Sequence, residues 1–200
     1  MKIELKIPKP SIEQVELYLS AWNNLENYHL QEDALDKLFF KLCPKNKDIS
    51  DILLKVVALN DFYSTNIFSV YPVAKHILLS DIDERLNAGD VTLVSDIQKV
   101  TINSTERNFY SFATKYCSHH KPLDYPIYDS YVEKMLCYFR DCDGFASFKT
   151  IDLKNYETYK EMLIDFRLFY GLEKYNLKQI DKYMWQLGKK FFPKSYGKKN

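Results

Sequence analysis

Glycine is scarce in this sequence, with 5 in 200 residues. That argues against Gly-rich phosphate loops and against many tight hairpins, both of which use backbone conformations that glycine adopts most easily. Cysteine is scarce too. Cys43, Cys117, Cys137 and Cys142 form no CxxC pair and show no regular ligand spacing. His119 and His120 lie close to Cys117, but neighbours in sequence point apart and make poor joint ligands. Neither a metal nor a cofactor is expected. No apolar run approaches the length of a membrane span, and the N-terminus lacks the apolar core of a signal peptide. The chain reads as cytoplasmic, with reduced thiols and no membrane partner. An excess of one charge is also missing: 28 Lys and Arg face 27 Asp and Glu, a net charge of +1. The molecule as a whole does not attract nucleic acid, so any such site must come from local clustering.

Aromatic residues are plentiful, at 16 % of the chain, with 16 Tyr and 13 Phe. Most must pack in a core, but a surplus of tyrosine also suits a binding cleft. The length fits one domain. Residues 1–10 read as an extended arm with a possible short strand at Ile3–Ile7, residues 11–192 as a helical domain, and residues 193–200 as a basic tail. Lys189, Lys190, Lys194, Lys198 and Lys199 cluster near that end, as a solvated tail or a phosphate-contacting arm.

Helical spacing dominates the pattern. Ser11 is placed to cap a first helix through Ile12, Val15, Leu19 and Trp22. A second is expected over about 31–42, and a third capped by Ser50. The aromatic, β-branched stretch 61–71 is read as a helix entrance because helical spacing resumes at Ile67, Val70, Ala74 and Ile77. Further helices are expected at 81–88, about 91–100, from Ser104 through Lys115, and at about 128–140, 155–169 and 176–191. Gly144 and Gly171 mark helix ends. The class is all-α, a multi-helix, two-lobed bundle. A boundary near 140–155 is physically plausible, but the chain is read as one domain.

Lys115 and Asp129 flank a loop containing Pro122 and Pro126. A lysine on one helix and a carboxylate opening the next can aim an amine and an anion at one point. Amine-nucleophile chemistry requires this, provided the amine is neutral. The helix dipole favours an ionised Asp129 at a helix start. The bland reading is a surface lysine and an ordinary N-cap. His119 and His120 have their own two readings, as acid and base of a nuclease or as solvated loop residues. Arg140, Arg167, Asp165 and Asp181 read as helix-surface groups or structural ion pairs.

The segment Pro126-Ile-Tyr-Asp129-Ser-Tyr-Val132 resembles the Pro-Val-Asp-x-x-Val stretch of helix-hairpin-helix DNA glycosylases. Phe62-Tyr-Ser-Thr-Asn66-Ile67 is similar to the Ser-Asn-Asn-Asn-Ile segment of 8-oxoguanine DNA glycosylases. Ser111-Phe-Ala-Thr-Lys115-Tyr followed by Tyr125-Pro-Ile-Tyr-Asp129-Ser130 resembles a bacterial group described as 8-oxoguanine-glycosylase-like. The likeness spans roughly residues 50–190. It implies base excision with AP lyase activity: Lys115 as the Schiff-base nucleophile, Asp129 stabilising charge on the sugar, and Asn66 lining the DNA-facing cleft. The partner would be duplex DNA with a flipped, damaged base, and the protein is expected to act as a monomer. The family's Gly-containing hairpin is replaced here by Thr101-Ile-Asn-Ser-Thr-Glu-Arg-Asn108, which leaves Asn103, Ser104 and Arg107 as candidate phosphate contacts. Tyr128, Phe109 and Trp185 are candidates to stack on the base, each with the alternative reading of a core ring. The alternatives are a non-catalytic DNA- or protein-binding module on the same fold, and an all-α protein unrelated to DNA.

Overall fold

The structure, a computed structural model, describes residues 7–193. The proposed strand at Ile3–Ile7 and the tail lysines Lys194, Lys198 and Lys199 therefore fall wholly or mostly outside the described residues. The chain is mostly helical. Among the described residues there are ten α-helices: α1 (Ile12–Trp22), α2 (Glu26–Asp36), α3 (Ile49–Tyr63), α4 (Val70–Leu79), α5 (Asp83–Asn87), α6 (Leu93–Gln98), α7 (Tyr110–His120), α8 (Ser130–Asp143), α9 (Tyr156–Phe169) and α10 (Leu177–Phe191). A wider π-type turn, Lys37–Leu42, extends α2, and a 3-10 turn, Thr150–Lys154, precedes α9.

Several helix starts follow directly from short polar side chains. Ser11 Oγ accepts from the Gln14 N–H. Asn176 and Gln179 form a reciprocal capping box at the head of α10. The cap of α3 is Asp48 rather than Ser50: its carboxylate accepts from the N–H groups of Ser50 at 2.7 Å and Asp51 at 3.2 Å. A carboxylate oxygen satisfying two orphan donors outcompetes the hydroxyl two residues on.

The segment between α6 and α7 departs most from the helical expectation. It is an antiparallel hairpin of β1 (Lys99–Ile102) and β2 (Thr105–Asn108), with Val100 opposite Arg107. Asn103 and Ser104 sit in the turn with φ of 49° and 60°, the left-handed pair that a two-residue hairpin loop needs. Ser104 thus belongs to a turn and caps no helix. The alternation Val100-Thr-Ile102 with β-branched side chains favours a strand over a helical continuation, and α6 stops at Gln98. Phe109 N–H donates to Gln98 O at 2.7 Å and closes the hairpin, and Asn108 Oδ1 accepts from Tyr110 N–H at the head of α7.

Stretch 61–71 is likewise split. α3 runs on to Tyr63, Ser64 turns left-handed at φ 49°, and α4 begins only at Val70. Asn60 pins the intervening loop: its Oδ1 accepts from Thr65 Oγ1 and Ile67 N–H at 2.9 Å each, and its Nδ2 donates to Ile67 O at 3.0 Å.

α7 runs through the core. Every residue from Phe112 to His120 is buried, polar ones included. It packs against α3, α6 and the Lys37–Leu42 turn, while α10 packs against α1, α8 and α9. A buried helix carrying Thr, Lys, Ser and two His must satisfy each polar group internally. Thr114 Oγ1 donates to Ser111 O and accepts from Tyr128 N–H. His120 Nε2 lies 3.2 Å from Asn46 Nδ2 and 3.4 Å from Lys55 Nζ. Lys55, itself fully buried, donates to Cys43 O, Lys45 O and Asn46 Oδ1. That network fastens the loop after Leu42 to the core.

Candidate active site

A cavity of about 320 Å³ opens between α7, the head of α8, α10 and the α1–α2 corner. Lys115 and Asp129 both line it. Lys115 reaches it from the middle of α7 and is only 2 % exposed. Its Nζ donates to Ser111 Oγ at 2.7 Å, to Tyr128 O at 3.1 Å and, at longer range, to Ser111 O at 3.4 Å. It also lies 5.1 Å from the centre of the Tyr63 ring. Two of these acceptors belong to Ser111 of α7 and the third to the proline loop, so helix and loop together fix where the amine points.

The loop is fixed in turn by tyrosines. Tyr156 OH donates to Pro126 O at 2.9 Å and Tyr159 OH to Ile127 O at 2.5 Å. Asp129 follows as N-cap of α8, its carboxylate accepting from Tyr131 N–H at 2.8 Å. The capping reading of Asp129 and its place in the cavity are therefore compatible: one carboxylate oxygen orders the helix, and the side chain still borders the cavity.

Asp181, read from the sequence as a helix-surface group or a structural ion pair, is half-buried and forms no ion pair among the described residues. It lines the same cavity from α10, and its Oδ1 is buried with no hydrogen-bond partner among the described residues. Burial, then the negative charge of Asp129, raises its pKa to about 8, against the smaller opposing pull of Lys115, Lys182 and Lys178. A protonated carboxyl beside Asp129 avoids two like charges in one small space.

His119 also borders the cavity, sharing a 2.9 Å hydrogen bond between its Nε2 and the Tyr63 hydroxyl. Burial lowers its pKa to about 3, so it stays neutral near pH 7. His120 is held well below its ordinary value, first by burial and then by Lys55. Neither is a solvated loop residue. The two face different partners, Tyr63 for His119 and Asn46 with Lys55 for His120.

The remaining sequence candidates divide. Trp185 borders the cavity, beside Trp22, Tyr28 and Tyr131. Its ring centre is 4.9 Å from that of Tyr28 and 5.9 Å from that of Trp22, both near edge-to-face. Phe109 and Tyr128 line a second, shallower hollow with Thr65, Asn108, Ser111 and Lys154. Tyr128 is buried there, its hydroxyl bonded to Glu133 and to the Lys154 ammonium. Asn66 stands in the loop after α3 with φ 60°, between Thr65 at the second hollow and the clamped Ile67. Asn103 and Ser104 occupy the hairpin turn and Arg107 is exposed on β2, so none of these four lines the main cavity.

The sequence reading did not single out Trp22, Tyr28, Glu32 or Tyr63 for the site. They arrive from α1, α2 and α3, and no local motif announces them. Among the described residues, no group of three or more His, Cys, Asp or Glu is placed to hold a metal ion, and no helix is long and apolar enough to cross a membrane.

Comparison with known proteins gives kinship without an activity. A protein of Haemophilus influenzae (strain ATCC 51907 / DSM 11121 / KW20 / Rd), described as an uncharacterized protein, is 54 % identical over 148 residues, which cover 74 % of this chain and 71 % of the relative. No solved structure matches. The family model HI_0787_N, described as an N-terminal domain, matches residues 14–124, a span that includes Lys115 and ends before Asp129. The chain belongs to the HI_0787_N family.

Proposed function

We propose that this protein is a DNA base-excision glycosylase with AP lyase activity that acts through Lys115. The observation that carries the reading is the shared cavity: a lysine withdrawn from water and a helix-capping carboxylate border the same space, with aromatic rings at its rim. Removal from water is one of the ways a lysine is made nucleophilic. The resemblance of the Lys115 and Asp129 segments to 8-oxoguanine glycosylases supports the same chemistry, with an oxidised purine as the base.

In this mechanism the Lys115 amine attacks C1′ of a flipped nucleotide. The N–C1′ bond forms as the glycosidic bond breaks, and the base leaves with its bonding electrons and takes up a proton. Asp129, at the head of α8, stabilises positive charge developing on the sugar. The sugar ring then opens: the nitrogen lone pair forms the C1′=N bond as the C1′–O4′ bond breaks and O4′ takes up a proton, giving the protonated Schiff base. Loss of a C2′ proton expels the 3′ phosphate by β-elimination and nicks the strand, and water finally releases Lys115. A cavity of this size falls at the lower end of the small-ligand range.

A second reading is a DNA- or protein-binding module that lacks this chemistry. The glycine-free β-hairpin favours it, because Asn103 and Ser104 replace the backbone approach to a phosphate that glycine permits. Borohydride reduction in the presence of labelled abasic or 8-oxoguanine duplex separates the two. The glycosylase reading requires a covalent adduct that Lys115→Gln abolishes. DNA binding without an adduct would leave the binding module.

A further inference from the structure

At the mouth of the cavity, three hydrogen-bond donors converge on one carboxylate. Glu32 Oε2 accepts from Lys182 Nζ at 2.7 Å and from Trp22 Nε1 at 3.2 Å, and Glu32 Oε1 pairs with Lys178 Nζ at 2.7 Å. Two of the donors stand one turn apart on α10 and the third ends α1. The acceptor alone comes from α2. Burial would raise the Glu32 carboxyl, but the two ammonium groups outweigh it and hold the pKa at about 2. The donors therefore form a cradle that strongly favours an anionic oxygen pair, and the protein fills it with a carboxylate of its own.

The element supplying that carboxylate is lightly anchored. Of the eleven residues of α2 only Leu35 is buried. Among the described residues its other ties to α10 include the Tyr28 ring against Trp185 and the Lys189 ammonium, which donates to the Tyr28 hydroxyl and lies 4.4 Å from the Tyr28 ring centre. Lys178, Lys182 and Lys189 share one face of α10 with Asp181 and Trp185, the face that lines the cavity. A nucleotide that brings C1′ to Lys115 carries a phosphate on each side of its sugar. The cavity walls must meet those charges where the chain leaves for solvent.

We propose that Lys178, Lys182 and Trp22 Nε1 form a phosphate-binding site for the DNA backbone, and that Glu32 occupies it as an internal anion until a phosphodiester displaces it. The inference rests on the reading of the cavity as a nucleotide site. Loss of Glu32 from the cradle frees α2 to move off the cavity mouth, so occupancy by a phosphate and opening of the mouth are one event. It also explains how a chain of net charge +1 engages a polyanion. Lys178 and Lys182 are held by Glu32 at rest and are released only to a competing anion.

The test uses the full chain and a fluorescently labelled duplex carrying a tetrahydrofuran abasic analogue, which binds without forming a Schiff base. Anisotropy titrations are run over a range of salt concentrations. Glu32→Gln keeps the shape and removes the competing charge; it is expected to tighten binding by about threefold or more at fixed salt. Lys178→Gln with Lys182→Gln is expected to weaken binding by roughly tenfold and to reduce the slope of log K against log salt by nearly two. The single Lys178→Gln, which keeps the Lys182–Glu32 pair, is expected to lower that slope by about one. Unchanged or weaker binding by a folded Glu32→Gln protein, or an unchanged slope in both lysine variants, overturns the proposal. If inorganic phosphate rather than the duplex is the anion that gains affinity in Glu32→Gln, the DNA assignment is overturned too. Borohydride trapping on the same proteins keeps the two claims apart. A reduced slope without any adduct preserves the phosphate site and removes the glycosylase reading. An adduct with an unchanged slope does the reverse.

Discussion

Asp129 has two jobs in this account, and they separate by substitution. As the cap of α8 its oxygen accepts from Tyr131 N–H. Asparagine can keep that bond while losing the charge, whereas alanine loses both. Asp129→Ala is expected to cost about 1 kcal/mol in urea unfolding, and Asp129→Asn only a few tenths, while both variants lose the covalent trapping signal. If Asp129→Asn trapped at the wild-type rate, the charge on this residue would have no part in the chemistry. Asp181 makes a different prediction, in the pH dependence of stability. Its carboxyl titrates from 3.8 in an ordinary environment to about 8 in the fold, through burial and then Asp129. The folded state thus holds a proton that the unfolded chain has released. The contribution is fully present below about pH 4, declines as pH rises and is gone above pH 8. Asp181→Asn removes the decline. The variant should melt at least roughly 5 °C above the native protein at pH 8.5, with the gap narrowing towards pH 5. A gap independent of pH would show that Asp181 is ionised in the fold.

At the scale of elements, the site depends on how closely α10 lies against the head of α8. Gly188 makes that approach possible: a Cβ there would stand 2.8 Å from Tyr131 Cβ and 2.9 Å from Tyr131 O. Neither atom is the free end of a flexible side chain, so the helices would have to part. Gly188→Ala is expected to destabilise the fold by about 1–3 kcal/mol in urea unfolding. It should also impair trapping beyond what the remaining folded fraction explains, because Tyr131 lies two residues from Asp129. A fully stable, fully active Gly188→Ala would mean that this contact is slack. The later helices were legible from spacing and caps: α8, α9 and α10 begin and end close to the expected places. The hairpin is not, because a β-branched run beside a polar Asn-Ser pair also fits a helix and its cap. Only pairing across the turn, with Phe109 returning to Gln98, decides in favour of strands. The Asp48 cap was missed for a simpler reason, since two competent capping residues stand two positions apart and the charged one wins.

For the molecule as a whole, the legible part of the site is the part that one continuous segment provides. Lys115 and Asp129 sit on either side of a single proline loop, and local sequence suffices to bring them near each other. Glu32, Tyr63, Trp22 and Asp181 come from four helices. Their convergence is a product of packing around α7 and α10, which no short spacing encodes. Asp181 shows the limit clearly: on sequence alone an acidic residue in an amphipathic helix reads as solvent-facing, and only the neighbouring helices reveal that it faces a cavity. The same packing gives a nearly neutral chain a local row of lysines, balanced by Glu32. The central claim is that the amine at the bottom of this cavity is a nucleophile. It is tested most directly by reducing the protein with borohydride in the presence of an abasic duplex, digesting it, and locating the modified residue by mass spectrometry. The account predicts one modified peptide, carrying the added sugar on Lys115. An adduct mapped to another lysine, or none on a duplex that the protein binds, would contradict it.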